Sequence, residues 1–406
     1  MSCTRREFGK LAIAGLPAAA VLGSRESIFG AFAPSPAAES RASFGGASAQ
    51  AAKPNSVING VQIGTITYSY RSMPDQSAEA MLKYILDSGI SGIELMGGPV
   101  ESFAGAPAGP GRGGGTGGRG LAPGGGGGRR GEAAGPDPAT LTASWNGTAC
   151  APAAVGGGRA DAVPGRGARG GGRAEMTPED RAAQEEAQAK LKAWRTSVSM
   201  DPFKKLRKMY NDAGVTIYAW KQLNPNMSDA EFEYVFNVAQ ALGCTNTTLE
   251  LPTDDAQLKR IGDFAMKKKI YAAYHTHTQG SMTAFDKAFA LSKGNKANVD
   301  FGHYVAAGNV GGTPMQFLEK YHDRIGSFHL KDRTTPEHCA LNLAWGTGET
   351  PIKEILQLVS KNKWKIPGSI ELEYDIPEGS DAVKEVRKCV EYCRTVLGSP
   401  STTASR

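Results

Sequence analysis

The chain has 406 residues, 40% of them hydrophobic and 21% charged, so it can bury a sizeable core and is not disordered throughout. Its net charge is +6, but half of that excess (8 − 5 = 3) comes from one segment, residues 97–176, which holds eight Arg and five acidic residues. The rest of the chain is nearly balanced, which argues against a broad nucleic-acid-binding surface. The same segment holds 27 of the 52 glycines.

The first residues have the composition of a targeting segment. Arg5 and Arg6 precede a mildly apolar run from Leu11 to Gly23, a pattern similar to a twin-arginine export signal. The run of about 13 residues is too short to cross a bilayer as a stable helix, so no stable membrane anchor is predicted. We expect residues 1–49 to be a signal peptide and leader, read by the twin-arginine translocase, and the mature protein to be periplasmic or secreted. A cytoplasmic leader that happens to contain two arginines is the alternative.

The six cysteines are few and scattered along the chain. Cys150 lies in the glycine-rich segment. Cys389 and Cys393 have i, i+4 spacing on a predicted helix, where an ordinary disulfide is geometrically poor. The sequence therefore predicts neither a disulfide framework nor a cysteine-based zinc site.

From Val57 onward, short apolar strands alternate with amphipathic helices, which is typical of parallel βα units. The predicted strands are Val61–Tyr68, Ser91–Leu95, Val215–Trp220, Thr245–Leu251, Lys269–His275, Ala297–Phe301, Ile325–Leu330 and Pro367–Tyr374. The predicted helices include Ser77–Ser88, Ala230–Leu242, Asp254–Lys268, Pro314–Tyr321, Ile352–Lys361 and Ala382–Leu397. Eight such strands favour an α/β fold, a single (β/α)8 TIM barrel over residues 50–406. A doubly wound sheet is the alternative, but no Gly-x-Gly-x-x-Gly turn follows the first strand.

The segment 97–176 is low-complexity sequence rich in Gly, Ala, Pro and Arg, and it predicts a long disordered insertion after the second barrel strand. From Thr177 to Asn211 the composition returns to that of a helix, beginning with a capping sequence at Thr177. Deleting about residues 107–173 is expected to change activity and melting temperature little, because the entropic cost of a loop grows only logarithmically with its length.

Ionisable residues cluster at the carboxyl ends of the predicted strands, where barrel enzymes place their active sites. In chain order they are Glu94, Glu250, His275, His277, Asp300, His303, His329, Lys331, Arg333, Glu371 and Glu373. Unpaired charges are costly in apolar strands, and a divalent metal is the simplest common partner. Asp300 and His329 are the strongest ligand candidates, since each is a single polar group in an apolar run. His303 could instead cap a loop, and Glu371 is expected lower in the barrel, in an internal ion pair.

Three motifs on consecutive strands resemble the xylose isomerase-like barrel superfamily, whose members include sugar isomerases, epimerases and inosose dehydratases. They are Asp300-x-x-His303, Phe328-His329-Leu330-Lys331-Asp332 and Glu371-Leu372-Glu373. Residues 302–308 and 342–346 resemble the exported branch of that superfamily. In its tagatose epimerase-like members, a Glu, an Asp, a His and a Glu on strands five to eight hold one metal ion.

Asp300, His329 and Glu373 match the last three of those ligands. His275 stands in the place of the strand-five Glu, and Glu250 on the neighbouring strand is the other residue that could complete the set. Mixed carboxylate and imidazole ligands suit Mn, Co, Zn or Fe(II) better than Mg.

The resemblance implies a metal-dependent sugar isomerase or epimerase that removes a proton next to a carbonyl of a free sugar, a keto-sugar or a glycoside. Because the strand-five Glu is absent, His277 is expected to be the base, with Glu250 and Glu373 as further catalytic carboxylates. The small-molecule sugar is expected to contact Glu94, His303, Lys331, Arg333 and Trp345.

Two other functions remain open on the same scaffold. A keto-glycoside lyase or dehydratase would use this site for β-elimination, and a non-catalytic exported protein would only bind carbohydrate. An endonuclease is disfavoured, because its three-zinc site needs more histidines and the third strand ends with none.

Overall fold

The computed structural model describes residues 53–108, 144–150 and 177–398. Its strands are β1 (Val57–Ile58), β2 (Val61–Ile66), β3 (Gly92–Met96), β4 (Ser144–Trp145), β5 (Thr148–Ala149), β6 (Thr216–Lys221), β7 (Asn246–Glu250), β8 (Tyr271–His275), β9 (Asn295–Asp300), β10 (Ile325–Leu330), β11 (Asp332–Arg333), β12 (Asn342–Leu343) and β13 (Gly368–Ile370). Its α-helices are α1 (Ala78–Asp87), α2 (Gly97–Phe103), α3 (Pro178–Ser197), α4 (Asp201–Asp212), α5 (Asp229–Leu242), α6 (Asp255–Lys268), α7 (Asp286–Leu291), α8 (Phe301–Ala306), α9 (Pro314–Tyr321), α10 (Ile352–Lys361) and α11 (Ala382–Gly398).

Eight of these strands form a closed parallel barrel, as predicted. In chain order they are β2, β3, β6, β7, β8, β9, β10 and β13, and each pairs with the next. β13 returns to β2, with Ile370 opposite Thr65, which closes the cylinder. The (β/α)8 fold is therefore confirmed, and the carboxyl ends of all eight strands meet at one mouth.

Local sequence sets the helix boundaries. The side chain of Ser77 accepts a hydrogen bond from the Ala80 amide at the start of α1, and Thr177 does the same for Asp180 at the start of α3. Along α10 the buried residues recur at helical spacing (Ile352, Ile355, Leu356 and Val359), so one face packs inward.

Polar contacts also cross the barrel interior. The Tyr218 hydroxyl of β6 hydrogen-bonds the Ser369 hydroxyl of β13, which is not a neighbouring strand. The tyrosine ring has room because residue 64 is a glycine, since a Cβ there would lie 2.4 Å from the Tyr218 hydroxyl oxygen. The interior is thus a packed, partly polar core.

The predicted disorder of residues 97–176 is wrong at the start of that segment. Residues 97–103 form α2, in which Val100 is fully buried. Glu101 accepts two hydrogen bonds from the Arg195 guanidinium of α3, at 2.8 and 3.0 Å, and one from the Tyr234 hydroxyl of α5 at 3.0 Å. These contacts hold α2 in place, while residues 109–143 and 151–176 lie outside the described residues.

A second part of that segment is a small hairpin joined covalently to the barrel. β4 and β5 are linked by Asn146 and Gly147, both at positive φ (49° and 79°), which is typical of a tight Asn-Gly hairpin turn. Cys150 then forms a disulfide with Cys339, 189 positions along the chain, so the prediction of no disulfide is wrong. Sequence spacing does not reveal a pairing that depends on the barrel bringing the two Cα atoms to 5.3 Å. Cys389 and Cys393 are free, as expected, and both are buried.

Over the described ranges, no helix combines the length and the apolar character needed to cross a bilayer. The signal peptide and leader predicted for residues 1–49 lie outside those ranges.

The disulfide changes the expectation for deleting the insertion. Removing residues 111–140 keeps the hairpin and Cys150, so the free energy of unfolding should stay nearly the same, because loop length acts only logarithmically. Removing residues 107–173 also removes the hairpin and the disulfide, and should lower the free energy of unfolding by about 2–5 kcal/mol. Denaturant unfolding of both variants measures this. Cys150→Ser in the full chain is the control and should lose a similar amount; equal stability of the two deletions would contradict the prediction.

Candidate active site

Four side chains from neighbouring strand ends converge at the barrel mouth. They come from β8, β9, β10 and the residue that follows β13: His275, Asp300, His329 and Glu371. One nitrogen or oxygen of each lies within 4.8 Å of those of the others, and all four residues are buried. We call this group the inner cluster. Two imidazoles and two carboxylates at this spacing are a candidate centre for one divalent cation.

His329 is held between two carboxylates. Its Nε2 lies 2.8 Å from Glu94 Oε2, and its Nδ1 lies 3.0 Å from Glu371 Oε2. Burial opposes a charge on the ring, but the two carboxylates outweigh it and raise the pKa of His329 to about 10. Glu94 is itself fully buried, and the imidazolium keeps the pKa of Glu94 below its usual value despite that burial. In the metal-free protein these groups form a buried ionic network.

The Lys331 ammonium lies at the centre of a second set of contacts. Its Nζ is 3.0 Å from Asp300 Oδ2, 2.8 Å from Glu371 Oε2 and 2.7 Å from Glu373 Oε2. Burial alone would raise the pKa of Glu371, but Lys331 and His329 hold it well below its usual value. The ammonium therefore neutralises carboxylates of the inner cluster and connects them to Glu373.

His303 links this lysine to an arginine. Arg333 Nη1 lies 2.6 Å from His303 Nδ1, and Lys331 Nζ lies 3.0 Å from His303 Nε2. Burial, followed by the charges of Lys331 and Arg333, lowers the pKa of His303 well below its usual value, so the ring is neutral. A guanidinium and an ammonium both only donate, and a neutral imidazole accepts at a single nitrogen, so the ring accepts from one of the two cations and carries its proton on the other nitrogen. His303 Nε2 also lies 3.9 Å from Glu373 Oε2.

His277 and Glu250 form the outer rim. The His277 side chain is 53% exposed, and its ring centroid lies 4.8 Å from that of His303 and 5.0 Å from that of His275. Glu250 Oε2 is 3.4 Å from His277 Nδ1, while Glu250 Oε1 accepts a 2.7 Å hydrogen bond from Lys221. The exposed imidazole therefore borders the buried site and has a carboxylate at one nitrogen.

The structure distributes the predicted site residues in a way that the sequence did not suggest. Glu371, expected only in an ion pair, joins the inner cluster as well as pairing with Lys331, whereas Glu373 lies against Lys331 and His303. Glu250 is at the rim beside Lys221 and His277.

Two predicted substrate contacts also have other partners. Glu94 is fully buried against His329, and Trp345 packs edge-on against Tyr392 of α11, with 5.8 Å between ring centroids.

Sequence reasoning missed the polar residues beneath the cluster. Thr248 Oγ1 donates to Glu94 Oε1 at 2.6 Å, and Asn298 Nδ2 lies 3.2 Å from His329 Nε2. Ser327 Oγ in turn donates to Asn298 Oδ1 at 2.9 Å. A signal was available, because residues 298 and 327 each stand two positions before a cluster residue and so share its face of the strand.

The donor chemistry of the inner cluster fits a divalent metal. His275 Nδ1 and Asp300 Oδ2 are buried and take part in no hydrogen bond, although Asp300 Oδ2 is ion-paired with Lys331. Burial, together with the charges of Lys221 and His329, lowers the pKa of His275 well below its usual value, so this imidazole is neutral and able to ligate.

No family model matches the chain, and no curated protein matches it. Solved structures do. A sugar phosphate isomerase/epimerase from Parabacteroides distasonis is similar at 14% identity and a TM-score of 0.48, over 84% of this chain and 96% of that one. The probable 3-DHS dehydratase from Bacillus anthracis is similar at 12% identity and a TM-score of 0.48, over 84% of this chain and 100% of that one. The 3-keto-D-glucoside 4-epimerase from E. coli is similar at 10% identity and a TM-score of 0.46, over 82% of this chain and 99% of that one.

Replacing Glu94 should change the titration of His329 in the metal-free protein. Glu94→Gln removes a negative charge 2.8 Å from Nε2, so the pKa of His329 should fall from about 10 by about one to three pH units. NMR titration of the imidazole measures this. Glu250→Gln is the matched control, because Glu250 contacts His277 and Lys221 rather than His329.

The contact between Glu94 and His329 also makes the free energy of unfolding depend on pH. The folded pKa of His329, about 10, is above the ordinary value of 6.5, so its stabilisation is complete below about pH 6.5 and is lost as the pH rises through 10. In Glu94→Gln, the free energy of unfolding, measured by denaturant unfolding at several pH values, should decrease less over this pH range. An unchanged His329 titration in Glu94→Gln would contradict the assigned contact.

Proposed function

We propose that this protein is a sugar isomerase or epimerase that depends on one divalent metal ion and acts on a free sugar, a keto-sugar or a glycoside. The observation that carries the proposal is the convergence of two imidazoles and two carboxylates on one point at the mouth of a (β/α)8 barrel. An exposed imidazole stands beside them. The resemblance of the strand-six, strand-seven and strand-eight motifs to the xylose isomerase-like superfamily supports the same reaction class.

His275, Asp300, His329 and Glu371 would hold the metal. A bound Mn, Co, Zn or Fe(II) ion would act as a Lewis acid toward a sugar carbonyl and its neighbouring hydroxyl, which acidifies the adjacent C–H. For His329 to ligate, one of its nitrogens must leave a carboxylate partner, and the carboxylate contact of the other nitrogen then fixes the ring orientation.

His277 is the base in this proposal. With Nδ1 facing Glu250, Nε2 is the nitrogen that takes the proton from the sugar carbon. Glu250 then stabilises the imidazolium that forms, and Lys221 keeps Glu250 oriented. The ring is at the solvent-exposed rim, so it can reach a substrate that enters the mouth.

The other polar groups orient the sugar. The imidazole of His303 and the ammonium of Lys331 hydrogen-bond substrate oxygens, and Arg333 fixes the His303 ring from behind. Glu373, held by Lys331 at 2.7 Å, is the carboxylate available to return or accept a second proton. One base that returns its own proton gives isomerisation, whereas a second group acting on the opposite face gives epimerisation.

We further propose that the protein works outside the cytoplasm, after export through the twin-arginine translocase. The twin-arginine pattern at Arg5 and Arg6 supports this. So does the Cys150–Cys339 disulfide, since structural disulfides persist mainly in oxidising compartments.

The reaction class is tested by NMR in D2O with Mn²⁺-loaded protein and a panel of ketoses and 3-keto-glycosides. Solvent deuterium at a carbon next to the carbonyl, in substrate or product, is the expected result. Release of the aglycone from a 3-keto-glycoside would instead identify β-elimination. Saturable sugar binding with no deuterium uptake in any substrate would contradict the enzyme and favour a carbohydrate-binding protein.

The ligand set is tested with Glu371 and Glu373, two carboxylates that lie two positions apart in the chain. Glu371→Gln should weaken Mn²⁺ binding by at least about 100-fold, because it removes a ligand. Glu373→Gln is the matched variant and should bind Mn²⁺ within about threefold of the wild type while turning over more slowly. Isothermal titration calorimetry measures both affinities. Greater loss in Glu373→Gln would favour the ligand set read from the sequence.

The base is tested by comparing two neighbouring histidines. His277→Asn should keep the metal and slow kcat by about 10²–10⁴-fold, the usual effect of losing a general base. His275→Asn should lose metal and activity together. Metal content, kcat and KM of each variant are the measurements; a raised KM with wild-type kcat in His277→Asn would reduce His277 to a substrate contact.

A further inference from the structure

The loop that follows β11 is held in a conformation that its residues do not favour. β11 and β12 pair as a short hairpin, with Arg333 opposite Asn342, and residues 334–341 connect them. Within this loop Cys339 and Ala340 have φ of 74° and 47°, in the left-handed region. Residues with a Cβ adopt that region only when the surrounding structure holds them there. Something outside the two residues must therefore maintain the loop.

This loop supports a residue of the candidate active site. The Arg333 guanidinium donates through Nη2 to the carbonyl oxygen of Ala340, one of the two left-handed residues. The same guanidinium donates through Nη1 to His303 Nδ1 at 2.6 Å. If Ala340 relaxed to an ordinary conformation, its carbonyl would turn away and Arg333 would lose the acceptor opposite His303.

The insertion hairpin holds the loop from outside. Cys339 is disulfide-bonded to Cys150, immediately after β5. Trp145 of β4 also packs against His338, with 5.4 Å between ring centroids, and His338 Nδ1 lies 2.6 Å from Glu349 Oε1. A covalent bond and an aromatic contact thus fasten the hairpin to the strained turn.

We propose that Cys150 and Cys339 are positioning residues for the active site: their disulfide holds the 334–341 loop, the loop holds Arg333, and Arg333 orients His303. The role assigned to His303 rests on the proposed function, whereas the mechanical connection does not. The hairpin of residues 144–150 is therefore fastened to the mouth, and a dithiol reductant should release its covalent attachment.

The redox step is an ordinary thiol–disulfide exchange. One thiolate of a dithiol attacks the sulfur of Cys150, which is partly exposed, whereas Cys339 is buried. The Cys150–Cys339 bond breaks and a mixed disulfide forms, which the second thiol of the reagent then resolves. Two electrons and two protons pass from the dithiol to the protein, leaving two cysteine thiols and an oxidised, cyclic reagent.

Hydrogen exchange read by mass spectrometry tests the connection without any substrate. In the oxidised protein, the amides of residues 338–341 are hydrogen-bonded within the loop. After dithiothreitol treatment they should exchange at least about tenfold faster, while α10 peptides keep their rate. Cys150→Ser should behave like reduced protein and should not respond to dithiothreitol. Unchanged loop exchange on reduction overturns the proposal.

Kinetics separate a positioning role from a merely structural one. With the sugar identified in D2O, reduction and Cys150→Ser should each raise KM by about tenfold and leave kcat within about twofold, because His303 orients substrate while His277 moves the proton. Trp145→Ala, which keeps the disulfide, should change KM less than Cys150→Ser does. Faster loop exchange with unchanged KM overturns the positioning role. Faster loop exchange with no turnover of any sugar overturns the proposed function and leaves the mechanical connection standing.

Discussion

Buried carboxylates at the mouth of the barrel are the constraint on which the site depends. Glu94, Asp300 and Glu371 are removed from water, and each would be strongly destabilised without a cation or donor facing it. His329, in β10, and Lys331, the residue that follows β10, supply those positive charges. Because each cation contacts more than one carboxylate, the charge of each group depends on those of its neighbours. A metal ion would enter a place where cationic charge is already required.

The barrel geometry makes this network possible. Glu94 and His329 are 235 positions apart in the chain, yet their side chains meet in the barrel interior because only β13 and β2 separate β10 from β3 in the closed sheet. Buried hydroxyl and amide groups lie beneath them: Thr248 donates to Glu94, the Asn298 amide faces the same carboxylate, and Ser327 donates to Asn298. The barrel mouth is therefore supported from below by polar packing, which limits how far any one side chain can shift.

The insertion gives the mouth a second kind of support. The glycine-rich segment carries a hairpin and a cysteine that reach the turn after β11. At the other end of the segment, Glu101 and Arg195 form a buried ion pair that fastens α2 to α3. Helix α2 and the hairpin are thus each held by specific side-chain contacts, which the composition of the segment does not reveal.

The sequence by itself determined the barrel, because alternating apolar strands and amphipathic helices record the period of each element and which face it buries. It also indicated which strand ends carry the ionisable side chains that converge at the mouth, since ionisable residues in apolar runs need a common partner. Only the tertiary structure decided that Glu371 rather than Glu373 joins the inner cluster, because two residues of equal parity differ only in depth, which the register of β13 against β10 sets. It alone paired Cys150 with Cys339 and placed Glu94 on His329, since contacts between distant residues depend on how the barrel closes, not on local pattern.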